Sequence, residues 1–255
     1  MSGTLNMPPR VTMAQAPVRP LPVRIRLFPD ETTRSLLRRL ETANALHRGE
    51  LKKTLRATRK PWIETISEWS GDSPERLTFA MPQLGSKNRV ILDHDKLTGR
   101  PDRHTSGTAC HRCSLAHGAG QYVEIYTTHE RVLCPRHGLW IGDGAPQPTD
   151  QLSIRACPVI DAAWHHHINL IERRGHARMR TAFYISGVIN WRWYDQFLHF
   201  THTTDIYETL AADQPRHARS QAIVAASLYP ATVELAAAIA SPYWADIAHL
   251  SLIHI

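Results

Sequence analysis

Cysteine is scarce in this sequence, with four in 255 residues. That is too few, and too patterned, for a disulfide scaffold, so metal ligation is the better reading of them. Long apolar runs are missing as well. The most apolar stretch, from Ser220 onward, is interrupted by Pro230, Glu234, Pro242 and Asp246. It reads as buried helices rather than as a run of roughly 20 residues able to span a bilayer. The N-terminus lacks a basic patch followed by an apolar run, which argues against a secretory signal. The expectation is a cytoplasmic, nucleoid-associated protein with no membrane partner. Two further motifs are missing: a Gly-rich loop ending in Lys-Ser/Thr for nucleotide phosphates, and an acidic cluster for a pair of catalytic metals. Neither nucleotide hydrolysis nor integrase chemistry is expected, and the chain reads as a protein that is not an enzyme.

What is present is positive charge, concentrated in one place. Thirty Lys and Arg against twenty-three Asp and Glu give a net charge of +7. Between Arg34 and Lys60 stand Arg34, Arg38, Arg39, Arg48, Lys52, Lys53, Arg56, Arg59 and Lys60, against only Glu41 and Glu50. Nine minus two already equals the net charge of the whole chain. A basic stretch of this kind suits an acidic partner, DNA first among them. A smaller cluster, Arg173, Arg174, Arg178 and Arg180, comes later.

Residues 1–20 contain Pro8, Pro9, Pro17 and Pro20 with few large apolar side chains, the composition of a disordered leader. Val23, Ile25 and Leu27 alternate with Arg24 and Arg26 as in a short extended segment. Asp30 or Thr32 can cap a helix to about Leu46, whose Leu36, Leu37, Leu40 and Ala43 share one side. A second helix passes through Leu51 and Leu55 after Gly49. A third carries Trp62, Ile66 and Trp69, and Ser73-Pro74-Glu75 opens a fourth. Residues 21–84 therefore form a basic helical bundle of helix-turn-helix-like character. A linker or loop from Gly85 to Thr108 leads into a metal module over 85–145, where Tyr122, Val123, Ile125 and Tyr126 read as strand. Residues 146–255 read as a C-terminal helical region. Its first helix, from Val159 to Arg174, has Ile160, Trp164, His167, Ile168 and Ile171 on a stripe, and later helices are punctuated by Gly187, Pro215, Pro230 and Pro242. The fold class is mainly α, with short strands in the centre.

Cys110-His111-Arg112-Cys113 and Cys134-Pro135-Arg136-His137-Gly138 are two corners, each with a two-residue gap between its potential ligands. Such a gap lets a tight turn aim two side chains at one ion. Two corners complete a tetrahedron of three thiolates and one imidazole, the closed arrangement of a structural zinc site with no position left for catalytic water. The sequence thus predicts one structural zinc ion on Cys110, Cys113, Cys134 and His137. His111 and His117 are rival ligands without spaced partners, and Cys157 stands alone as a buried thiol. His165, His166 and His167 are adjacent and point 100° apart on a helix, so they cannot converge on one ion. His167 falls on the apolar stripe as a core histidine, and the other two are solvated.

These elements together resemble the TniQ family, proteins of mobile elements that help choose where a transposon inserts. The likeness rests on three stretches within about residues 20–190. The first is Leu21-Pro22 through Asp30-Glu31-Thr32, with Ser35-Leu36-Leu37-Arg38-Arg39-Leu40 and Ala43-Asn44-Ala45-Leu46. The second is Val132-Leu133-Cys134-Pro135-Arg136-His137-Gly138-Leu139, and the third is the helix from Ala162 to Gly175. The chain departs from the family in having His111 where a proline is common and in lacking tryptophans between the ligand pairs. It also lacks a second zinc half-site found in some members. The resemblance implies an adaptor in DNA transposition and target selection. Its partners would be DNA, a transposon AAA+ ATPase and, indirectly, a transposase, with an RNA-guided targeting complex or a homodimer also open to it. Two other classes compete. One is a sequence-specific regulator using a helix-turn-helix around Trp62 to Leu77, although Glu75-Arg76 offers little base-reading chemistry. The other is a protein or RNA interaction module without direct DNA contact.

Overall fold

Thr32 fixes the start of the first helix, because its hydroxyl accepts a hydrogen bond from the Ser35 amide at 3.1 Å and satisfies a donor the first turn leaves without a helical partner. In the computed structural model, which describes residues 19–85, 105–120, 122–197, 201–212 and 221–243, α1 then spans Thr33–Ala43. Asp30, the other candidate cap, instead turns the chain in a left-handed conformation at φ 58°. Helices α2 (Glu50–Ala57), α3 (Trp62–Ser70) and α4 (Pro74–Ala80) follow, and a 3-10 turn at Pro82–Gly85 ends the series. Ser73 caps α4 by accepting from the Arg76 amide, with Pro74 in the first turn. The expected leader lies almost wholly outside the described residues.

The chain divides into two compact units, Met1–His94 with His117–Ala119 and Asp95–Ala116 with Gly120–Ile255. In the first, Leu36, Leu37 and Leu40 of α1 meet Leu51 and Leu55 of α2, Ile66 and Trp69 of α3 and Leu77 of α4 in one buried cluster. Glu41, counted in the sequence as an offset to the basic stretch, is buried and accepts from the Gly49 and Leu51 amides at 2.9 Å each. Its carboxylate thus caps α2, whose N-cap residue, Gly49, makes no side-chain cap hydrogen bond. The extended segment at Val23 is held by an amide side chain: Asn44 accepts from the Val23 amide at 2.8 Å and donates to the Val23 carbonyl at 2.9 Å.

The described part of the second unit opens on a strand rather than a loop. The expected loop was to run to Thr108, but Thr105–Thr108 is a strand, β1, paired antiparallel with β2 (Glu124–Thr127) so that Thr108 faces Glu124. Residues 86–104 of that loop lie outside the described residues. Between the strands comes α5 (His111–Ala116), and a small hairpin of β3 (Leu133–Cys134) and β4 (Leu139–Trp140) follows. Then come α6 (Pro158–Arg174), α7 (His176–Phe197), α8 (Thr201–Ala212) and α9 (Gln221–Ile239). Leu133 and Trp140 of the hairpin share one core with Ile160 and Leu170 of α6, Met179 of α7, Leu210 of α8 and Ile223, Tyr229 and Val233 of α9. The described residues are therefore mainly helical, with a few short strands.

Three helices depart from the pattern the sequence suggests. On α6 the buried positions are Ile160, His167 and Leu170, while Ile168 is only half-buried, so the inward face lies slightly to one side of the expected stripe. Gly187 does not interrupt α7, and Pro230 lies inside α9. A proline in a helix interior costs about 3 kcal/mol, but Ala226, Tyr229, Val233 and Ala236 are all buried on either side of it, and that packing outweighs propensity. Pro215 is outside the described residues. Uninterrupted, α9 is the one helix among the described residues long and apolar enough to cross a membrane. Its mean hydropathy is 1.6, and 56% of its apolar window is buried inside the protein. The expectation that Pro230 and Glu234 cut this run short is thereby corrected.

Gly144 lets α9 approach the hairpin. Its φ is +79°, and a Cβ there would lie 2.3 Å from the Ala222 nitrogen and the Gln221 carbonyl carbon. Backbone cannot yield as a side chain can. Gly144→Ala is expected to cost on the order of 3 kcal/mol through strain and overpacking. Gly49→Ala, at φ +85° and ψ 4° but in open space, costs about 1–2 kcal/mol. Urea unfolding of the two variants checks the contrast, and equal losses would remove the role given to Gly144.

Candidate metal centre

The two predicted corners meet. Cys110 precedes α5 and Cys113 lies in its first turn, while Cys134 ends β3 and His137 sits in the turn before β4. The His137 and Gly138 amides both donate to the Cys134 carbonyl, at 3.2 and 2.8 Å, which tightens the second corner. Gly138 closes it at φ 60°, a left-handed conformation that suits glycine. All four donor atoms lie within 4.8 Å of one another. His137 Nδ1 is 3.4 Å from Cys110 Sγ, 3.3 Å from Cys113 Sγ and 3.6 Å from Cys134 Sγ, and the Cys113 and Cys134 sulfurs are 3.7 Å apart.

Those lengths discriminate between chemistries. A disulfide requires about 2.05 Å between sulfurs, and all four cysteines are free thiols. A tetrahedral ion with bonds of about 2.3 Å to sulfur and 2.0 Å to nitrogen has S–S edges of about 3.8 Å and S–N edges of about 3.5 Å. The observed edges match, so the group could hold one metal ion with every coordination position filled by protein. Cys134 is held down to about 4, chiefly by the hydrogen bond from the Cys110 thiol and then by the His137 amide and ring. Cys110 is pushed far up, first by giving that hydrogen bond and then by burial.

Gln151 supports the first corner and had no signal in the sequence. Its side-chain oxygen takes the His111 amide at 3.0 Å and lies 2.9 Å from His111 Nδ1, while its nitrogen donates to the Ala109 carbonyl at 2.9 Å. The residues flanking Cys110 are thus clamped from forty positions away, a distance no local periodicity reveals. His111 Nδ1 is taken up by this contact, and His111 is not among the four clustered donors. His117 belongs to the first unit, its ring edge-on to Phe28 with centroids 5.4 Å apart. Cys157 is buried just before α6, its thiol 4.0 Å from the Ile206 carbonyl and away from the cage.

The predicted DNA-contacting residues do not act alike. Arg34, Arg48, Lys53, Arg56, Arg59 and Lys60 are exposed, whereas Arg38, Arg39 and Lys52 are half-buried. Arg39 is committed elsewhere: its guanidinium pairs with the fully buried Glu31 carboxylate at 2.5 Å and donates to the Arg26 carbonyl at 2.7 Å. Lys60 pairs with Glu68 at 2.8 Å while remaining half exposed. Arg38 and Arg48 line a shallow cavity of about 200 Å³ with Glu41, Thr42 and Leu46.

Of the three adjacent histidines, His165 lies near Asp161 on the exposed face of α6 and His166 is half-buried. His167 is fully buried, with Nδ1 2.9 Å from the Tyr229 hydroxyl and Nε2 3.1 Å from His129 Nδ1. Burial first, then the neighbouring His129, pulls it down to about 3, so it is a neutral core histidine. Burial likewise pulls His129 down to about 4. Comparison of the chain with protein families, curated proteins and solved structures gives no match.

Proposed function

We propose that the chain is a TniQ-like adaptor in DNA transposition, coupling target-site recognition to a transposon AAA+ ATPase and, through it, to a transposase. In this reading it catalyses nothing itself, and Cys110, Cys113, Cys134 and His137 hold one structural zinc ion. Three thiolates and an imidazole in a tetrahedron are the donor set zinc prefers, and four protein ligands leave no place for a reacting water. The observation that carries the adaptor reading is the exposure of Arg34, Arg48, Lys53, Arg56, Arg59 and Lys60, six cations within 27 consecutive residues of the first unit. Each such cation placed on a phosphate releases counterions. A protein partner is supported separately by α7, where Tyr184, Val188 and Trp191 are exposed at i, i+4 and i+7.

If these cations bind DNA through about six phosphates, affinity for a random duplex falls about 10³-fold between 50 and 200 mM salt. A flat salt dependence would rule out phosphate contact. A pull-down from the native host, with and without nuclease, tests the coupling: an ATPase retained after nuclease supports the adaptor, and its absence under both conditions argues against it.

One feature favours a second reading, the sequence-specific regulator. Helices α3 and α4 are joined by three residues with Gly71 in a left-handed turn at φ 71°, as in a helix-turn-helix. The outer face of α4 offers Glu75, Arg76 and Phe79, and Arg76 is paired with Asp72 at 2.9 Å. Enrichment of one motif from a random DNA pool would favour this reading over the adaptor.

A further inference from the structure

A second group of metal-binding side chains lies in the second unit, apart from the thiolate cage. His129 and Glu130 stand in the turn between β2 and β3, and His176 opens α7. Glu130 Oε2 is 3.7 Å from His129 Nε2 and 3.3 Å from His176 Nε2, and the three donor atoms lie within 4.8 Å of one another. A cation with bonds of about 2.1 Å to nitrogen and oxygen sets its donors about 3.0–3.4 Å apart. Of the three edges, Glu130–His176 already fits, Glu130–His129 closes with a shift of a few tenths of an ångström, and His129–His176 lies within the same 4.8 Å limit.

An independent observation points to a ligand here. His129 Nε2 and Glu130 Oε2 are buried without a well-formed hydrogen bond, facing each other at 3.7 Å, and the His129 side chain is only 8% exposed. Buried polar atoms rarely go without a partner. A cation would satisfy both lone pairs at once. The surroundings also orient the ring. If His129 Nδ1–H donates to His167 Nε2 and His167 Nδ1–H donates to the Tyr229 oxygen, the His129 Nε2 lone pair is left facing Glu130 and His176. Ligating imidazoles are commonly fixed by such a bond at the other ring nitrogen. Glu130 is anchored too, because its carbonyl accepts from Trp164 Nε1 at 2.9 Å.

We propose that His129, Glu130 and His176 form a second metal site, for a divalent first-row cation such as zinc, bound by two imidazoles and one carboxylate with water completing the shell. His176 is 44% exposed and forms the entrance. The bound ion would tie the turn between β2 and β3 to the first turn of α7. It would also leave a coordination position open, unlike the thiolate centre.

Equilibrium dialysis of the full chain against micromolar Co²⁺, with metal counting and visible spectra, tests this. The expected result is two ions per chain, one showing thiolate charge transfer and one only weak d–d bands. His176→Ala, at the exposed rim, should lose the second ion and keep the charge-transfer band. Glu130→Gln, which preserves shape, should weaken the second site at least tenfold with unchanged circular dichroism. A wild-type chain that saturates at one ion, or both variants still binding two, would overturn the proposal.

Discussion

Cys134→Ser is expected to empty the thiolate centre and lower the thermal midpoint by about 10 °C or more, since several kcal/mol are at stake and each shifts a domain of this size by about 2–4 °C. The elements around the cage cannot stand alone. β3 and β4 have two residues each, and α5 has six, all below the lengths at which isolated hairpins or helices persist. Metal binding in such modules is folding free energy, on the order of 10–16 kcal/mol for zinc-finger peptides. The loss should spread, because Leu133 and Trp140 of the hairpin belong to the same core as α6 and α9. Cys157→Ser is the control: it removes a buried thiol that is not a ligand, and metal content should not change. Metal counting with calorimetry on both variants decides the matter.

Arg39→Ala should destabilise the first unit by about 3–5 kcal/mol, the usual consequence of removing one partner of a buried ion pair. The Arg39 side chain is 10% exposed and the Glu31 carboxylate fully buried. Burial raises the Glu31 carboxyl above its ordinary range even with Arg39 beside it, so without the guanidinium it must bury an unpaired charge or take up a proton. Arg34→Ala, on the exposed side of the same helix, should stay within about 0.5 kcal/mol. DNA affinity should respond the other way, with Arg34 contributing and Arg39 acting only through the fold. Chemical unfolding alongside duplex binding separates the two roles. Equal stability losses would contradict the placement of Arg39.

Helix existence in the first unit was legible because its signals are local: a capping Thr32, an apolar stripe on α1, and Ser73-Pro74 before α4. The group of Cys110, Cys113, Cys134 and His137, which could hold a metal ion, was legible for the same reason, since each corner is written in nearly consecutive residues. The roles of Arg39 and Glu41 were not. Both looked like surface charge, and each is defined by a contact made eight to ten residues away. Gln151 and the group of His129, Glu130 and His176 escaped for a stronger version of that reason. Their partners lie across turns and helices that spacing does not connect. Pro230 misled in the opposite direction: its local signal is strong, and tertiary packing overrides it.

The central claim is that one ion is held by three sulfurs and one imidazole nitrogen. Zinc-edge X-ray absorption on the full chain carrying a single equivalent of zinc tests it most directly. The account predicts three sulfurs at about 2.3 Å and one nitrogen at about 2.0–2.1 Å. A shell made only of nitrogen and oxygen, or one with fewer than three sulfurs, would contradict it.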